Sequence, residues 1–172
     1  YEKAGISIDE YLEKADAANA AFYKAYLHAL DGEYVLRADA RAVLDDLKGL
    51  GYHITILSNH RHDLLTHEIS AAGLASCFDH ICGNICDADI THKLTKQERL
   101  GAYISTFNID TKRSFIIGDS HEEPYVARAL GLQSIAINGG YVSGQRLASA
   151  KPDAQINTLS ALVPALKALL TG

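Results

Sequence analysis

Asp119 and Glu123 carry the clearest chemical signal in the chain. Asp119 follows Phe115, Ile116 and Ile117, a short apolar run expected of a strand buried on both faces, and Gly118, which breaks it. Glu122, Glu123 and Pro124 come next, and proline suits a helix start, where its missing N–H costs nothing. Two carboxylates one helical turn apart at a helix N-terminus form an oxygen pair suited to a hard cation such as Mg²⁺. Ser58, with Asn59 and His60 beside it, stands at the carboxyl end of a second strand, read over residues 53–57. Lys93 and Lys96 precede or open a further helix. A hydroxyl can donate to a phosphate oxygen, an ammonium can offset charge that builds up in phosphoryl transfer, and the carboxylates can hold a metal. Together they make a phosphate-and-Mg²⁺ site.

Taken singly, each residue has an ordinary structural reading. A serine after a strand is usually a helix cap, a loop lysine is usually solvated, and Asp119 can simply cap a turn. Their conjunction in this chain order carries the functional reading, and it requires one sheet edge to gather them. The elements supply that edge. After Asp119 a helix packs with Val126, Ala127 and Leu130 and stops at Gly131, and Ser134 to Ile137 form the next strand. A strand–helix–strand unit implies a parallel sheet, whose ligands sit beyond the carboxyl ends of its strands. Earlier, Asp39 to Leu50 reads as an amphipathic helix with Val43, Leu44 and Leu47 inward, and His60 to Leu74 as the helix after Ser58. Cys77 to Cys82 is strand-like, and Thr95 with Glu98 forms a capping box that starts a helix reaching about Phe107. Asn138 to Gly144 reads as a glycine-rich loop, Asp153 to Asn157 as a last strand, and Ser160 to Leu170 as a closing helix.

The expected fold is therefore α/β, a Rossmann-like parallel sheet flanked by helices. Residues 7–30 are alanine-rich with helical spacing, opened by a capping box of Ser7 and Glu10. Tyr11, Phe22, Tyr23, Tyr26 and Tyr34 give this region an aromatic face, to pack on the main domain or to cover a substrate pocket. The expected division is a helical segment over 1–33 and an α/β core over 34–172.

At 172 residues, 48% hydrophobic and 22% charged, the composition is that of one ordinary soluble globular domain, or one domain with a small appendage. A net charge of −5 without a basic run argues against nucleic acid as a partner, and no apolar stretch reaches membrane-spanning length. Cys77, Cys82 and Cys86 are odd in number and include no C-x₂-C pair, which points to reduced thiols and a cytoplasmic setting rather than a zinc site. No G-x-G-x-x-G opens a helix after a strand, which disfavours a dinucleotide domain built on Asn138-Gly-Gly. The chain has no Met and begins at Tyr1, so it is expected to be part of something longer.

The order Ile-Leu-Ser-Asn, then Lys, then Ile-Ile-Gly-Asp-Ser-x-x-Glu resembles the haloacid dehalogenase-like hydrolase superfamily, in its phosphoglycolate phosphatase-like branch. The resemblance runs from about Tyr34 to the C-terminus, and the segment before Tyr34 looks like the tail of a helical cap. It implies that Ser58 is the phosphate-binding hydroxyl, with Asn59 and His60 beside it. Lys96 matches the family lysine by its place at a helix start and its distance to Gly118, with Lys93 as the fallback. Asp119 matches the metal-binding aspartate, and Glu123 stands where Asp is commoner. The implied activity is Mg²⁺-dependent hydrolysis of a small phosphorylated metabolite through an aspartyl-phosphate. The family's first motif, a strand ending in Asp-x-Asp that supplies the nucleophile, has no match. Asp87-Ala88-Asp89 has its spacing but lies between other elements. The expectation is that the nucleophile lies upstream of Tyr1 and that its strand leaves an apolar gap in the sheet. If the chain is complete, the alternative is a non-catalytic phosphate- or partner-binding module.

Overall fold

The computed structural model describes residues 36–84, 95–140 and 142–171, with 17, 21, 24, 25 and 28. Those five isolated positions are helical. The rest of the helical segment read over 7–30, Lys93, Cys86 and Asp87 to Asp89 lie outside the described residues.

The chain alternates helix and strand from its first described element. The elements are α1 (Ala40–Gly49), β1 (Thr55–Arg61), α2 (His62–Ala71), β2 (His80–Asn84), α3 (Lys96–Phe107), β3 (Phe115–Gly118), α4 (Glu122–Leu130), β4 (Gln133–Ile137), α5 (Gly144–Ser149), β5 (Ala154–Ile156) and α6 (Leu162–Thr171). Every strand pair is parallel, as crossovers through helices require. Among the described residues the strands form two groups, β1-β2 and β3-β4-β5, with no backbone pairing between them.

The core sits on β4, where Ser134, Ile135, Ala136 and Ile137 are all buried. Ile135 and Ile137 point to one side and join Val43 and Leu47 of α1, Ile156 of β5, and Leu162 and Leu166 of α6. Ala136 points the other way, against Val142, which precedes α5, and Leu147 of α5. This alternation is the period-two side-chain pattern of a strand covered on both faces. Each large apolar side chain so buried contributes about 1.5–3 kcal/mol.

Four expectations need correction. Phe115 to Ile117 are not buried on both faces: all are at most half-buried, and Ile117 is 38% exposed. β3 pairs only with β4 among the described residues, and an edge strand lacks the cover that flanking strands and their helices provide. β1 starts later and runs further than residues 53–57, so Ser58, Asn59 and His60 lie within it. Its pairing with β2 breaks after Leu57 and resumes at Arg61 opposite Asn84, which carries the strand past the serine. Residues 75–77 form a 3₁₀ turn, and the following strand starts only at His80. The loop read up to Gly144 gives way there to α5, capped by Ser143, whose hydroxyl accepts from the Arg146 amide. No helix among the described residues is long and apolar enough to cross a membrane.

Candidate active site

Lys96 is the first residue of α3, and its position is set by the capping box before it. The Thr95 hydroxyl accepts from the Glu98 amide at 3.2 Å, while Glu98 Oε2 accepts from the Thr95 amide at 2.7 Å. A cation at a helix N-terminus opposes the helix dipole, so Lys96 needs acidic partners, and α4 provides two. Lys96 Nζ donates to Glu123 Oε1 at 2.6 Å and lies 2.8 Å from Glu122 Oε2. Both glutamates are in the first turn of α4, where carboxylates are favoured.

The Lys96–Glu123 pair is closed off from water, with side chains 11% and 8% exposed. Burial pulls the Lys96 ammonium down, but the bonds to Glu122 and Glu123 outweigh it and hold its pKa above the ordinary lysine value. Burial pushes Glu123 up, and the bonds from Lys96 and Ser120 outweigh that and hold it below the usual glutamate range. Ser120 supplies two of those bonds, from its amide at 3.1 Å and its hydroxyl at 2.7 Å, both to Glu123 Oε2. Glu123 has thus committed both oxygens to the protein.

Asp119 differs. It is half-buried at the end of β3, and among the described residues its carboxylate has no hydrogen bond or ion pair. The Asn138-Gly-Gly loop closes over it so tightly that a Cβ on Gly140 would overlap the Asp119 carboxylate. No group of three or more metal-ligating side chains gathers among the described residues. Mg²⁺ is commonly held by one or two carboxylates with water completing its shell, so Asp119 fits one ligand position. Of the expected oxygen pair, Glu123 is hydrogen-bonded to Lys96 and Ser120.

Ser58 is also half-buried. Its Oγ accepts from the His60 amide at 3.1 Å, which leaves its proton free to donate. The turn is held from both sides. Arg99 Nη1 donates to the Ser58 carbonyl at 2.9 Å, Arg99 Nη2 to Asn59 Oδ1 at 2.7 Å, and Asn84 Nδ2 to the Asn59 carbonyl at 2.7 Å. The His60 ring is turned toward α2, with Nε2 3.1 Å from Glu68 Oε1.

A continuous chain of bonds therefore joins the predicted residues. Ser58 is tied through Arg99 to α3, Lys96 of α3 is tied to the first turn of α4, and that turn directly follows Asp119. Lys96, Asp119 and Glu123 thus lie at the carboxyl end of β3, and Ser58, within β1, is tied to α3 through Arg99. Asn59 borders Ser58, while the His60 ring points away. The sequence reading missed Arg99, Ser120 and Glu122 as members of this network. The signal for Arg99 was its i+3 spacing from Lys96, which puts both on one helix face.

A family model described as Haloacid dehalogenase-like hydrolase matches residues 2–137. Among curated proteins, the chain is 26% identical over 160 residues to the phosphoglycolate phosphatase of Colwellia psychrerythraea, covering 93% of this chain and 69% of that protein. It is 22% identical over 152 residues to the pyrophosphatase PpaX of Bacillus velezensis, covering 88% and 68%. It is 27% identical over 125 residues to the probable phosphatase IndB of Dickeya dadantii, covering 72% and 53%. The chain thus spans between 53% and 69% of the length of these three relatives. A haloacid dehalogenase-like family hydrolase from Streptococcus pneumoniae superposes with a TM-score of 0.73 at 21% identity, covering 92% of this chain and 71% of that one. A predicted phosphatase from Clostridium acetobutylicum gives 0.68 at 24% identity, covering 78% and 60%. At such identities the structures establish the fold.

Proposed function

Since this chain belongs to the haloacid dehalogenase-like hydrolase family, we propose that it is a Mg²⁺-dependent phosphatase acting on a small phosphorylated metabolite. The observation that carries the reading is the Lys96 ammonium, clamped by Glu122 and Glu123 beside the Asp119 carboxylate at the end of β3, which has no partner among the described residues. The names of the relatives, phosphoglycolate phosphatase among them, support the substrate class. Lys96 offsets the charge of the transferring phosphoryl group, and the Ser58 hydroxyl donates to one of its oxygens. Asp119 holds the cation, which when bound polarises the phosphoryl oxygens and neutralises charge. Glu123 keeps Lys96 aimed, Asn59 and Lys93 are assigned to the phosphate-binding surroundings, and His60 acts there through its amide, which donates to Ser58 Oγ, since its ring is turned to Glu68.

The nucleophile in this reading is an aspartate on a strand that pairs into the division between β1 and β3. The edge of β3 that is unpaired among the described residues and the exposure of Ile117 support that location. Its carboxylate oxygen bonds to phosphorus, the bond from phosphorus to the substrate oxygen breaks, and the leaving alkoxide takes a proton. Water then attacks the aspartyl-phosphate, restoring the carboxylate and releasing inorganic phosphate.

Phosphate release from a panel of small phosphate monoesters, with and without Mg²⁺, tests the proposal on the natural protein. Lys96→Met and Asp119→Asn should each lose roughly a hundredfold or more in kcat. Undiminished activity in both would end the reading. A protein that binds phosphate but turns nothing over is the non-catalytic module instead.

A further inference from the structure

Arg99 has no part in the chemistry just described, yet its guanidinium is fixed to the Ser58 turn at two points. Nη1 donates to the Ser58 carbonyl at 2.9 Å and Nη2 to Asn59 Oδ1 at 2.7 Å. Its Nε is buried with no hydrogen-bond partner among the described residues. Burial pulls its pKa down, and the field of Glu122 only partly opposes this. A half-buried cation with an unmet N–H is a poor choice for stability alone. Such a placement asks for a role at the site.

The fold supplies one. β1 and β3 share no backbone pairing among the described residues, so strand register does not align Ser58 with the residues around Asp119. α3 does this through two cations one turn apart, Lys96 reaching α4 and Arg99 reaching β1. We propose that Arg99 is a positioning residue, whose two-point grip on Ser58 and Asn59 aims the Ser58 hydroxyl at the phosphate held by Lys96. The proposal rests on the reading of Ser58 as a phosphate donor. The Ser58 Oγ already accepts from the His60 amide, so the remaining donor direction depends on how the turn is held. Arginine suits the task because its rigid planar fork holds two acceptors in a fixed relative geometry, which a freely rotating ammonium does not impose.

The test uses the natural protein with p-nitrophenyl phosphate as substrate and inorganic phosphate as competing ligand. Arg99→Met and Arg99→Lys should both raise the inhibition constant for phosphate about tenfold, and KM with it, while kcat changes less. In an Asn59→Ala background the effect of Arg99→Met should shrink, because one anchor is already gone. An unchanged phosphate constant in Arg99→Met overturns the proposal, and so does full recovery in Arg99→Lys, since charge alone would then suffice. If Arg99→Met does not fold, Arg99→Lys, which keeps stem and charge, decides. If the wild-type protein neither hydrolyses the probe nor binds phosphate, the phosphatase reading falls and this proposal with it. If it does both and the Arg99 variants match it, this proposal alone falls.

Discussion

Removing the carboxylate of Glu123 probes how the site is held together. In Glu123→Ala, Ser120 loses an acceptor for its amide and hydroxyl, and Lys96 loses its 2.6 Å partner. Breaking a buried pair costs about 3–5 kcal/mol when the remaining charge is left alone. Lys96 is not left alone, because Glu122 stays within 2.8 Å, although at 38% exposure that partner is more screened by water. The expected loss is therefore near the lower bound, about 3 kcal/mol. For a domain of this size that is a fall in Tm of about 6–12 °C. Glu123→Gln keeps the shape and one acceptor oxygen but turns an N–H toward one of the two donor groups, so it should lose about 1–2 kcal/mol.

The pH dependence of that difference has a definite sign. Glu123 is held below its ordinary pKa of 4.5 in the folded state, so its contribution is full above that value and is lost as pH falls through the folded pKa. Lys96 is held above its ordinary 10.5, so its contribution is full below that value and is lost as pH rises through the folded pKa. The gap between wild type and Glu123→Ala should be flat at neutral pH and narrow toward both extremes. Urea denaturation across pH measures it. A gap under about 0.5 kcal/mol at pH 7, the range of an ordinary surface substitution, would refute the reasoning, as would a gap that widens on acidification.

Two glycines give further expected outcomes. Gly140→Ala places a methyl on the Asp119 carboxylate, which must turn away, so the Mg²⁺ concentration for half-maximal activity should rise about tenfold; an unchanged Mg²⁺ titration would sink the assignment of Asp119. Gly83→Ala places a Cβ 2.6 Å from His62 Cα and 2.8 Å from the His60 carbonyl. Those are backbone atoms that cannot swing aside, so β1 and β2 must part, at about 1–3 kcal/mol, read as a lower urea midpoint.

The parts of the fold that the sequence revealed are those decided by local rules. The Thr95–Glu98 capping box and the left-handed Gly131 that ends α4 were legible because each depends on a few adjacent residues. β4 was legible as a short apolar run. Its neighbour β3 looked identical in sequence, yet Ile117 is exposed, because burial there depends on which strand lies alongside and not on the run itself. The course of β1 past Ser58 was equally hidden. It depends on a register break against β2 and on the close approach at Gly83, both long-range events. Chemical type and place at element ends suggested Ser58, Lys96 and Asp119 for the site. What no spacing rule could tell was the division of labour between Asp119 and Glu123. Both are carboxylates near one helix start, and only the fold directs Lys96 and Ser120 onto the second.

That division sets the electrostatics of the site. Lys96 and Arg99 bring two positive charges, and Glu122 and Glu123 bring two negative ones within reach of them. Among these described residues the four offset one another, Asp119 adds a negative charge at the strand end, and Arg37 donates to the Asn138 carbonyl in the loop that covers it. A phosphate dianion approaching Asp119 is repelled by its carboxylate and attracted by the helix N-termini of α3 and α4. A bound divalent cation reverses the sign. If Asp119 is the metal ligand proposed above, phosphate should bind more tightly when Mg²⁺ is present, and the assay with and without Mg²⁺ reads this directly.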